Sequence, residues 1–357
     1  MITADLTNIR IEKSNLSSLK SVDFNALDFG KYHSDHMFLA DFNGGKWHDM
    51  RIVPYQNISL SPATAALHYG QTVFEGFKAH KAKNSNDIIL FRPEKHWERM
   101  NKSMSRICMP PISKEIFMDG VIEMAKIDRM WAPSQEGCSL YFRPFAFAMD
   151  AFIRVKPSDS YYFIIFCSPV GSYFAGKLNV KIETEFVRSA EGGIGFAKSG
   201  GNYAASLLPA KNAATNGYQQ IMWTDAKEHK YIEETGASNV MFLIDNVLIT
   251  PCLSSSILDG VTRDSIITIG KDLGYKVEER KISVDEIIRS LKDGTMQEAF
   301  GTGTAAVISP ISIINYLGED YEVPAPKADG FSKKVAKILN DIKYGIIEDP
   351  YNWTIRV

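Results

Sequence analysis

A lysine in the middle of the chain lies in a sequence setting that suits covalent chemistry. The stretch GFAKSGGNY covers residues 195–203, so that Lys198 follows an apolar approach and precedes Gly200 and Gly201. Partial removal of an amine from water lowers its pKa and makes it a nucleophile that can form a Schiff base. A glycine pair lets a ligand come close to the backbone. An ordinary solvated lysine remains the alternative at this point.

Pyridoxal phosphate is the cofactor that such a lysine would bind, and its pyridine nitrogen needs an acid. The stretch YIEETG supplies Glu233 and Glu234. Neighbours on a strand point to opposite faces, so one of the two can turn inward, where a pyridinium N–H would compensate its burial. Tyr203 follows the glycine pair and could donate to the cofactor's O3′ oxygen. The alternatives are two exposed glutamates and a packed tyrosine.

The phosphate of this cofactor needs N–H groups or a cation. The stretch GVTRDS, residues 260–265, begins a predicted helix whose first N–H groups lack partners within the helix and favour an anion. The loop GTGT, residues 301–304, offers further N–H groups and hydroxyls. Arg99 lies off the apolar stripe of its predicted helix, and arginine is well suited to grip a phosphate. Ordinary helix caps, a tight connection and a solvated arginine are the alternatives.

The elements that must position these residues are read from hydrophobic periodicity and turn residues. The pattern predicts a hairpin from HMFLADF to GGKWHDMRIVPY, a strand pair from TVFEGFKAHKAK to DIILFRP, and strands at CSLYFRPFAFAMD and SYYFIIFCSPV. It predicts helices over 94–107 and 202–216, a strand VKIETEFVR, strands QQIMWTD and KYIEET, and a hairpin VMFLI-DN-VLIT. Helices VTRDSIITIGKDLG and SVDEIIRSLKDG follow, and EAFGTGTAAVISPI predicts a strand, a glycine-rich turn and another strand.

Strands and helices are mixed in both halves, which predicts two α+β domains. We expect a small N-terminal domain over 1–173, a linker over 174–180 at GSYFAGKLNV, and a larger C-terminal domain over 181–357 that carries Lys198. The 357 residues agree with about two domains.

Composition and charge exclude several classes of protein. Hydrophobic residues make up 45% and charged residues 23% of the chain, with a formal net charge of −2, which indicates a folded globule without a nucleic-acid partner. Neither a secretory signal nor a membrane span is indicated, so we expect a cytoplasmic protein. The four cysteines contain no C-x-x-C pair and predict reduced, mostly buried thiols without a metal.

Ordered landmarks along nearly the whole chain resemble the branched-chain amino acid aminotransferases of the fold-type IV pyridoxal phosphate enzymes. The landmarks are LHYGQTVFEGFKA, LFRPEKHWERM, LYFRP, GSYF, KSGGNYAASL, EETGASNVMF, GVTRDSI and FGTGTAAV. The resemblance implies a two-domain α+β fold like that of D-amino acid aminotransferase, with the cofactor at the domain interface. It implies reversible transfer of the amino group of L-leucine, L-isoleucine or L-valine to 2-oxoglutarate, which gives a branched 2-oxo acid and L-glutamate.

Residue roles follow from the resemblance position by position. Lys198 would be the Schiff-base lysine and proton shuttle, Tyr203 would bond O3′, and Glu234 rather than Glu233 would bind the pyridine nitrogen. The phosphate would be held by three further elements: Arg99, the N–H groups of Val261 and Thr262, and Thr304. The substrate would meet the remaining set: the N–H groups of Thr304 and Ala305 for the α-carboxylate, Phe74, Tyr141 and Tyr173 for the side chain, and Arg143 for the γ-carboxylate of glutamate. Tyr69 would enter the partner subunit's site, which implies a homodimer.

The chain departs from the family at two places. Ala306 and Ser309 stand where animal members carry a C-x-x-C pair, so a thiol switch is not expected. Ala237 stands where those members have a threonine near the ring, which leaves the tuning of the cofactor open. A D-amino acid aminotransferase or an aminodeoxychorismate lyase of the same fold is the alternative enzyme. A catalytically dead protein that kept the fold is the alternative from another class.

Overall fold

A computed structural model describes residues 9–171, 178–304 and 307–357 of the protein. Within these residues the strands are β1 Arg10–Ile11, β2 His36–Asn43, β3 Lys46–Pro54, β4 Thr72–Phe74, β5 Phe77–Lys81, β6 Ile88–Phe91, β7 Ser139–Ala148, β8 Tyr161–Val170, β9 Leu178–Ile182, β10 Gln220–Thr224, β11 Ile232–Thr235, β12 Asn239–Ile244, β13 Val247–Thr250, β14 Lys276–Glu279, β15 Met296–Gly303, β16 Val307–Tyr316, β17 Glu319–Glu322 and β18 Thr354–Arg356. The α-helices are α1 Ala65–Tyr69, α2 Pro93–Arg106, α3 Lys114–Ile127, α4 Gly200–Ala204, α5 Leu207–Thr215, α6 Val261–Asp272, α7 Val284–Lys292 and α8 Phe331–Lys343.

The chain divides into two compact units. The first comprises Met1–Tyr173, Ala197–Gly200 and Asp341–Val357, and the second comprises Phe174–Phe196 and Gly201–Asn340. The short segment that carries Lys198 thus packs with the first unit, although it lies in the second half of the sequence. The domain limits drawn at 174–180 stay a prediction, since most of that linker lies outside the described residues.

The first unit is built on a sheet with the strand order β1-β3-β2-β8-β7-β5-β6-β18, and β4 pairs with β7. The predicted hairpin β2–β3 is confirmed: its strands are antiparallel, and Gly44 and Gly45 adopt the positive φ that its turn requires. Helices α2 and α3 bury apolar side chains in the main core of this unit, which includes Met104, Phe117 and Phe163. The same core includes Val73 of β4 and Phe142 of β7, so this packing fixes the two strands that carry the candidate site residues Phe74, Tyr141 and Arg143.

The second unit is built on a sheet with the order β11-β10-β9-β16-β15-β12-β13-β14, and β17 pairs with β16. The predicted hairpin β12–β13 is confirmed, and its turn residues Asp245 and Asn246 have φ of 48° and 63°. Ser283 caps α7 by accepting from the backbone N–H of Glu286 at 3.1 Å. The apolar core of this unit includes Val240, Phe242 and Ile314.

Three predicted elements differ in their bounds. The strand expected from TVFEGFKAHKAK is interrupted between β4 and β5, where the backbone of Gly76 lies against the Tyr141 hydroxyl. The strand expected over 180–188 ends at Ile182, because the Glu183 carboxylate accepts from the next three backbone N–H groups. The helix expected over 202–216 is two helices, α4 and α5, and the Ser206 hydroxyl donates to the Tyr203 carbonyl at the break.

The cysteines and the helices bear on the remaining structural expectations. All four cysteines are free, but only Cys167 among them is buried, so the prediction of mostly buried thiols is wrong. Cys108 is exposed because it follows α2 in a left-handed turn, with φ of 58°. No helix among the described residues is both long and apolar enough to span a lipid bilayer.

Candidate active site

Lys198 is fixed through its backbone in the first unit. Its N–H donates to the Ser103 hydroxyl on α2 at 2.9 Å, and its carbonyl accepts from the N–H of Phe74 at 3.0 Å. The neighbouring Ser199 forms a bridge to Val73 on β4. The Lys198 ammonium lies 4.8 Å from the centre of the Phe74 ring, and the residue is half-buried. Helix α2 and strand β4 therefore fix the backbone from which the amine extends.

An aromatic and cationic group surrounds this lysine. The Arg143 guanidinium lies 4.8 Å from the Phe74 ring centre and 5.3 Å from that of Tyr141, and its Nη2 donates to the Tyr141 hydroxyl at 3.1 Å. A Cβ atom at Gly76 would lie 1.7 Å from that hydroxyl, so glycine is required there. Phe74, Tyr141, Arg143 and Lys198 thus come together: Arg143 lies over both aromatic rings, and Lys198 lies over that of Phe74.

The buried Arg143 Nε finds no hydrogen-bond partner in the described part of the chain. Ser199, 1% exposed, likewise has a buried hydroxyl without a partner there. Buried donors without a partner are costly, so a polar ligand that accepts hydrogen bonds from these two atoms would remove that cost. The observation fits a site that is completed by a bound small molecule.

Arg99 belongs to a buried ionic cluster in the same unit. Its Nε and Nη2 donate to the two oxygens of Glu75 at 2.7 and 2.8 Å, and His96 Nδ1 donates to Glu75 Oε2 at 2.7 Å. Burial alone opposes ionisation of Glu75, but Arg99 and then His96 outweigh it and hold the pKa of that carboxyl well below its usual range. Burial lowers the pKa of His96, although its contact with Glu75 opposes the shift. This cluster fixes the orientation of Arg99.

Tyr69 is an exposed residue of the first unit. It ends α1, where Gly70 adopts the left-handed conformation, and it is 39% exposed. Leu67 on the same short helix is 62% exposed. This places a tyrosine and a leucine on the surface of the first unit, which suits a contact outside the chain.

Glu234 is the buried acid of the second unit. It is 2% exposed, and its Oε2 pairs with Arg188 Nε at 2.7 Å. Its Oε1 accepts from the N–H of Leu258 at 2.7 Å and from Asn239 Nδ2 at 3.2 Å. An arginine and two N–H donors around one carboxyl favour its ionised form. Such an acid can hold a proton on a facing ring nitrogen.

Glu233 has a different environment, although it is the next residue on β11. Its Oε1 accepts a short hydrogen bond from the Ser256 hydroxyl, and its buried Oε2 has no partner among the described residues. Burial raises the pKa of Glu233 to about 7, and the Ser256 hydrogen bond opposes the shift only in part. The two faces of the strand thus separate an acid paired with an arginine from one whose pKa is raised to about 7, as the alternation of side chains requires.

The start of α6 has the features of a phosphate site. Its N-cap, Gly260, supplies no side-chain acceptor to the first turn, and Val261 and Thr262 are buried. A Cβ atom at Gly260 would lie 1.9 Å from Asn239 Oδ1, so glycine is required. The first N–H groups of a helix attract anions. In the same unit the buried Thr302 hydroxyl has no partner in the described segments.

The remaining predicted residues are placed only in part. Tyr203 lies on α4 and is half-buried, and Thr304 directly follows β15. Tyr173, Ala305 and Ala306 lie outside the described residues, whereas Ser309 lies on β16 and is buried. Ala237 lies between β11 and β12, after Gly236, whose φ is 54°.

Several residues of the site are not predicted by the sequence patterns. Glu75, His96 and Ser103 in the first unit and Arg188 and Asn239 in the second were not identified. A weak signal existed for His96, which precedes Arg99 by three residues and so shares its helix face. Arg188 carries no local signal, since its partners Glu234 and Ser256 are distant in sequence.

Comparisons with known proteins agree with this chemistry. Residues 72–314 match the family model for amino-transferase class IV. A relative named branched-chain-amino-acid aminotransferase 2, from Bacillus subtilis, is 43% identical over 353 residues, which cover 98% of this chain and 97% of the relative. A probable branched-chain-amino-acid aminotransferase of Staphylococcus epidermidis is 42% identical over 336 residues, 93% of each chain.

Solved structures give the same result. The Escherichia coli branched-chain amino acid aminotransferase superposes with a TM-score of 0.72 at 27% identity, covering 90% of this chain and 98% of that one. The corresponding enzyme of Thermobaculum terrenum, solved in its pyridoxal phosphate form, gives a TM-score of 0.71 at 25% identity, covering 89% and 97%.

Proposed function

This chain belongs to the class IV aminotransferase family, and on that premise we propose that it is a branched-chain-amino-acid aminotransferase. It transfers the amino group of L-leucine, L-isoleucine or L-valine to 2-oxoglutarate and releases a branched 2-oxo acid and L-glutamate. The observation that carries this proposal is the 43% identity with the Bacillus subtilis relative over 98% of the chain. Its fold is the α+β fold-type IV architecture of its structural neighbours.

The chemistry of the side chains fits pyridoxal 5'-phosphate as the cofactor. Glu234 has a buried carboxyl group paired with an arginine, which suits a pyridine nitrogen, and the start of α6 suits a phosphate. When bound, the cofactor supplies an electron sink that makes the Cα–H bond of the amino acid acidic. We assign Lys198 to its aldehyde, Glu234 to its ring nitrogen and Tyr203 to its O3′.

The phosphate is assigned to residues from several elements. The N–H groups of Val261 and Thr262 would donate to it at the start of α6, and Thr304 would add its hydroxyl. Arg99 would add a cation, and its pairing with the buried Glu75 would orient it for that contact. Each of these groups binds an anion without needing to move a proton.

Lys198 is the residue that we assign to proton transfer. As a neutral amine its Nζ would remove the proton from the substrate's Cα and later release it, which is general base and then general acid catalysis. The backbone contacts to Ser103 and Phe74 hold it through both half-reactions without engaging the amine. Glu234 would meanwhile keep the proton on the ring nitrogen.

The pocket must accept an aliphatic side chain and the carboxylate of glutamate in turn. Phe74, Tyr141 and Tyr173 would form its apolar walls, and Arg143 would meet the γ-carboxylate. One methylene in such a pocket is worth about 1–3 kcal/mol, so we expect little separation among the three branched substrates. The variant Arg143→Ala should lose more turnover with glutamate than with leucine, and equal losses on both would contradict its role.

The α-carboxylate of the substrate is assigned to the N–H groups of Thr304 and Ala305. Tyr69 would reach the site of a second subunit, and its exposure on α1 supports a homodimer of this chain. The molecular mass in solution tests that assembly. A cytoplasmic location stays a prediction, which fractionation of the source cells would test.

The test of the function is a coupled assay with a matched spectrum. We expect the purified chain to absorb in the near-visible range and to convert L-leucine with 2-oxoglutarate, whereas D-alanine should be inert. Lys198→Ala should lose turnover by roughly three or more powers of ten, as expected for loss of covalent and general base catalysis together. Lys211→Ala, which changes an exposed lysine on α5, is the control.

Four results would reject parts of this proposal. Preference for D-alanine would support the D-amino acid aminotransferase alternative, and lyase activity on aminodeoxychorismate would support the other. Near-normal turnover in the Lys198 variant would reject the assignment of that lysine. A colourless protein that gains no absorbance with added cofactor would indicate an inactive relative.

A further inference from the structure

The acid next to Glu234 on β11 has no role in the function proposed above. Glu233 is partly buried, and its carboxyl group has one hydrogen-bonded oxygen and one buried oxygen without a partner in the described residues. An unsatisfied buried carboxyl oxygen carries a desolvation cost that no hydrogen bond offsets. A glutamine or an apolar residue at an indifferent position would avoid that cost, so the cost calls for an explanation.

Ser256 links this carboxyl to the partner of Glu234. Its hydroxyl donates to Glu233 and lies 2.9 Å from the Ser254 hydroxyl, while its backbone carbonyl accepts from Arg188 Nη1 at 2.7 Å. Arg188 Nη2 donates to the Gly195 carbonyl at 3.1 Å, and its Nε pairs with Glu234. These contacts link Glu233, Ser256, Arg188 and Glu234 in that order, and the peptide bond between Glu233 and Glu234 closes them into a ring of four residues within one unit.

The ring holds two carboxyl groups but one cation. Arg188 is already paired with Glu234, so within the described part of the chain the Glu233 carboxyl has a hydroxyl as its hydrogen-bond partner. Two groups favour the charged form of Glu233: Ser256 through its hydrogen bond and Arg188 through its charge. Glu234 and Asp225 disfavour the charged form through their own negative charges. Burial outweighs the two favourable groups and raises the pKa of Glu233 to about 7, so the number of charges in the ring changes near neutrality.

We propose that Glu233 is a positioning residue of the cofactor site, which acts through Ser256 and Arg188 on the way Glu234 holds the pyridine nitrogen. The inference rests on the proposed function, because it assigns Glu234 to that nitrogen. When Glu233 is neutral, Arg188 stabilises the charge of Glu234 and no charge on Glu233. With Glu233 ionised, a second negative charge competes for Arg188 and strengthens the field that keeps a proton on the ring nitrogen.

The first test is the absorbance of the bound cofactor in the holoenzyme as a function of pH. We expect a step in the wild-type spectrum near pH 7 that Glu233→Gln lacks, because the amide cannot ionise. Ser256→Ala keeps the backbone carbonyl for Arg188 but removes the hydrogen bond to the carboxylate. Its step should move upward by roughly one pH unit, the equivalent of one lost hydrogen bond. Glu228→Gln, an exposed glutamate of the same unit, should leave the step in place.

The second test does not depend on the cofactor. A carboxyl whose pKa is raised on folding contributes stability that is fully present below its unfolded value and is lost as the pH rises through the folded value. The thermal midpoint of the cofactor-free full chain should therefore fall between about pH 4.5 and 7 relative to Glu233→Gln, and the difference should stay constant above pH 7. Ser256→Ala should extend that fall to higher pH.

The outcomes are distinguishable. A wild-type step that persists unchanged in Glu233→Gln overturns the proposal, as does a Ser256→Ala step that stays in place. If Glu233→Gln does not fold, the direction of the Ser256→Ala shift decides the question. A wild-type protein that binds no cofactor contradicts the proposed function instead, while the pH dependence of the cofactor-free chain still reports on the ring.

Discussion

Glu75 in the first unit and Glu233 in the second are two carboxyl groups with opposite behaviour. Glu75 is fully buried, yet Arg99 and His96 hold its pKa well below the usual range. Glu233 is less buried, yet its pKa rises to about 7, since its direct partner is a hydroxyl. Burial alone would predict that Glu75 has the higher pKa of the two. The comparison shows that the cation supplied for each carboxyl, rather than its exposure, decides whether it is ionised.

The largest expected effect comes from removing the cation that is paired with Glu75. Arg99→Met should lower the free energy of unfolding of the cofactor-free chain by about 3–5 kcal/mol at pH 7, because Glu75 is left buried without its cation. Denaturant unfolding measures the loss. Arg106→Met, an exposed arginine on the same helix, is the control and should change stability little.

The same variant has a pH signature. The depressed pKa of Glu75 contributes stability that is present above its unfolded value near 4.5 and is lost as the pH falls through the folded value. Arg99→Met removes the main cause of the depression, so its deficit should shrink as the solution is acidified toward pH 4. A deficit that is constant with pH would mean that lost packing, and not an unpaired carboxylate, accounts for the effect.

The second effect tests whether a buried cation that has no acid beside it in the described part of the chain follows the same rule with the opposite sign. Lys343 is buried, its ammonium lies 4.7 Å from the centre of the Phe91 ring, and burial followed by Lys78 lowers its pKa to about 7. Lys343→Met should stabilise the chain by about 1–3 kcal/mol below pH 7, since an uncompensated charge is replaced by an apolar chain of similar length.

The stability gain of Lys343→Met should fade as the pH rises from 7 toward 10.5, because Lys343 is then neutral in the folded chain. Lys334→Met, which changes an exposed position of the same helix, controls for helix propensity. Denaturant unfolding at pH 6 and pH 10 measures the difference. Equal stability changes at both pH values would contradict the charge argument.

Sequence patterns predicted the parts of the molecule whose causes are local. The two hairpins β2–β3 and β12–β13 follow from turn residues that accept positive φ, and α7 follows from its cap at Ser283. Helix α3 was not predicted, because its buried residues include Phe117, Met118 and Gly120 and so cover much of its circumference. Gly120 lies against Phe38 and Ile165, which are remote in sequence.

The candidate site divides in the same way. Lys198 and the two glutamates stand out by residue type, and the family resemblance separates Glu234 from Glu233. The partners that decide their charge do not stand out: Arg188 is 46 positions before Glu234, and Glu75 is 24 positions from Arg99. Ion pairs of this kind are set by tertiary packing, which a single sequence does not encode in any local pattern.

The smallest effect separates burial from the number of hydrogen bonds. Arg280 makes more ionic hydrogen bonds than Arg99 makes to Glu75: Nη1 and Nη2 donate to Glu286 at 3.0 and 2.6 Å, and Nε donates to Glu278 at 2.9 Å. Its side chain is 37% exposed, however, and that of Glu286 is 36% exposed. Water can therefore replace arginine around these carboxylates, and Arg280→Met should cost less than about 1 kcal/mol.

Salt sharpens this last comparison. The loss in free energy of unfolding caused by Arg280→Met should fall toward zero between low ionic strength and about 1 M NaCl, because exposed charges are then screened within about 3 Å. The loss caused by Arg99→Met should persist, because its ion pair is buried. Denaturant unfolding of both variants in urea, at both salt concentrations, measures the two deficits. If Arg280→Met cost as much as Arg99→Met, the count of hydrogen bonds would govern these pairs. The contrast drawn between Glu75 and Glu233 would then lose its physical basis, because a hydroxyl and a cation would differ only in the number of donors they bring.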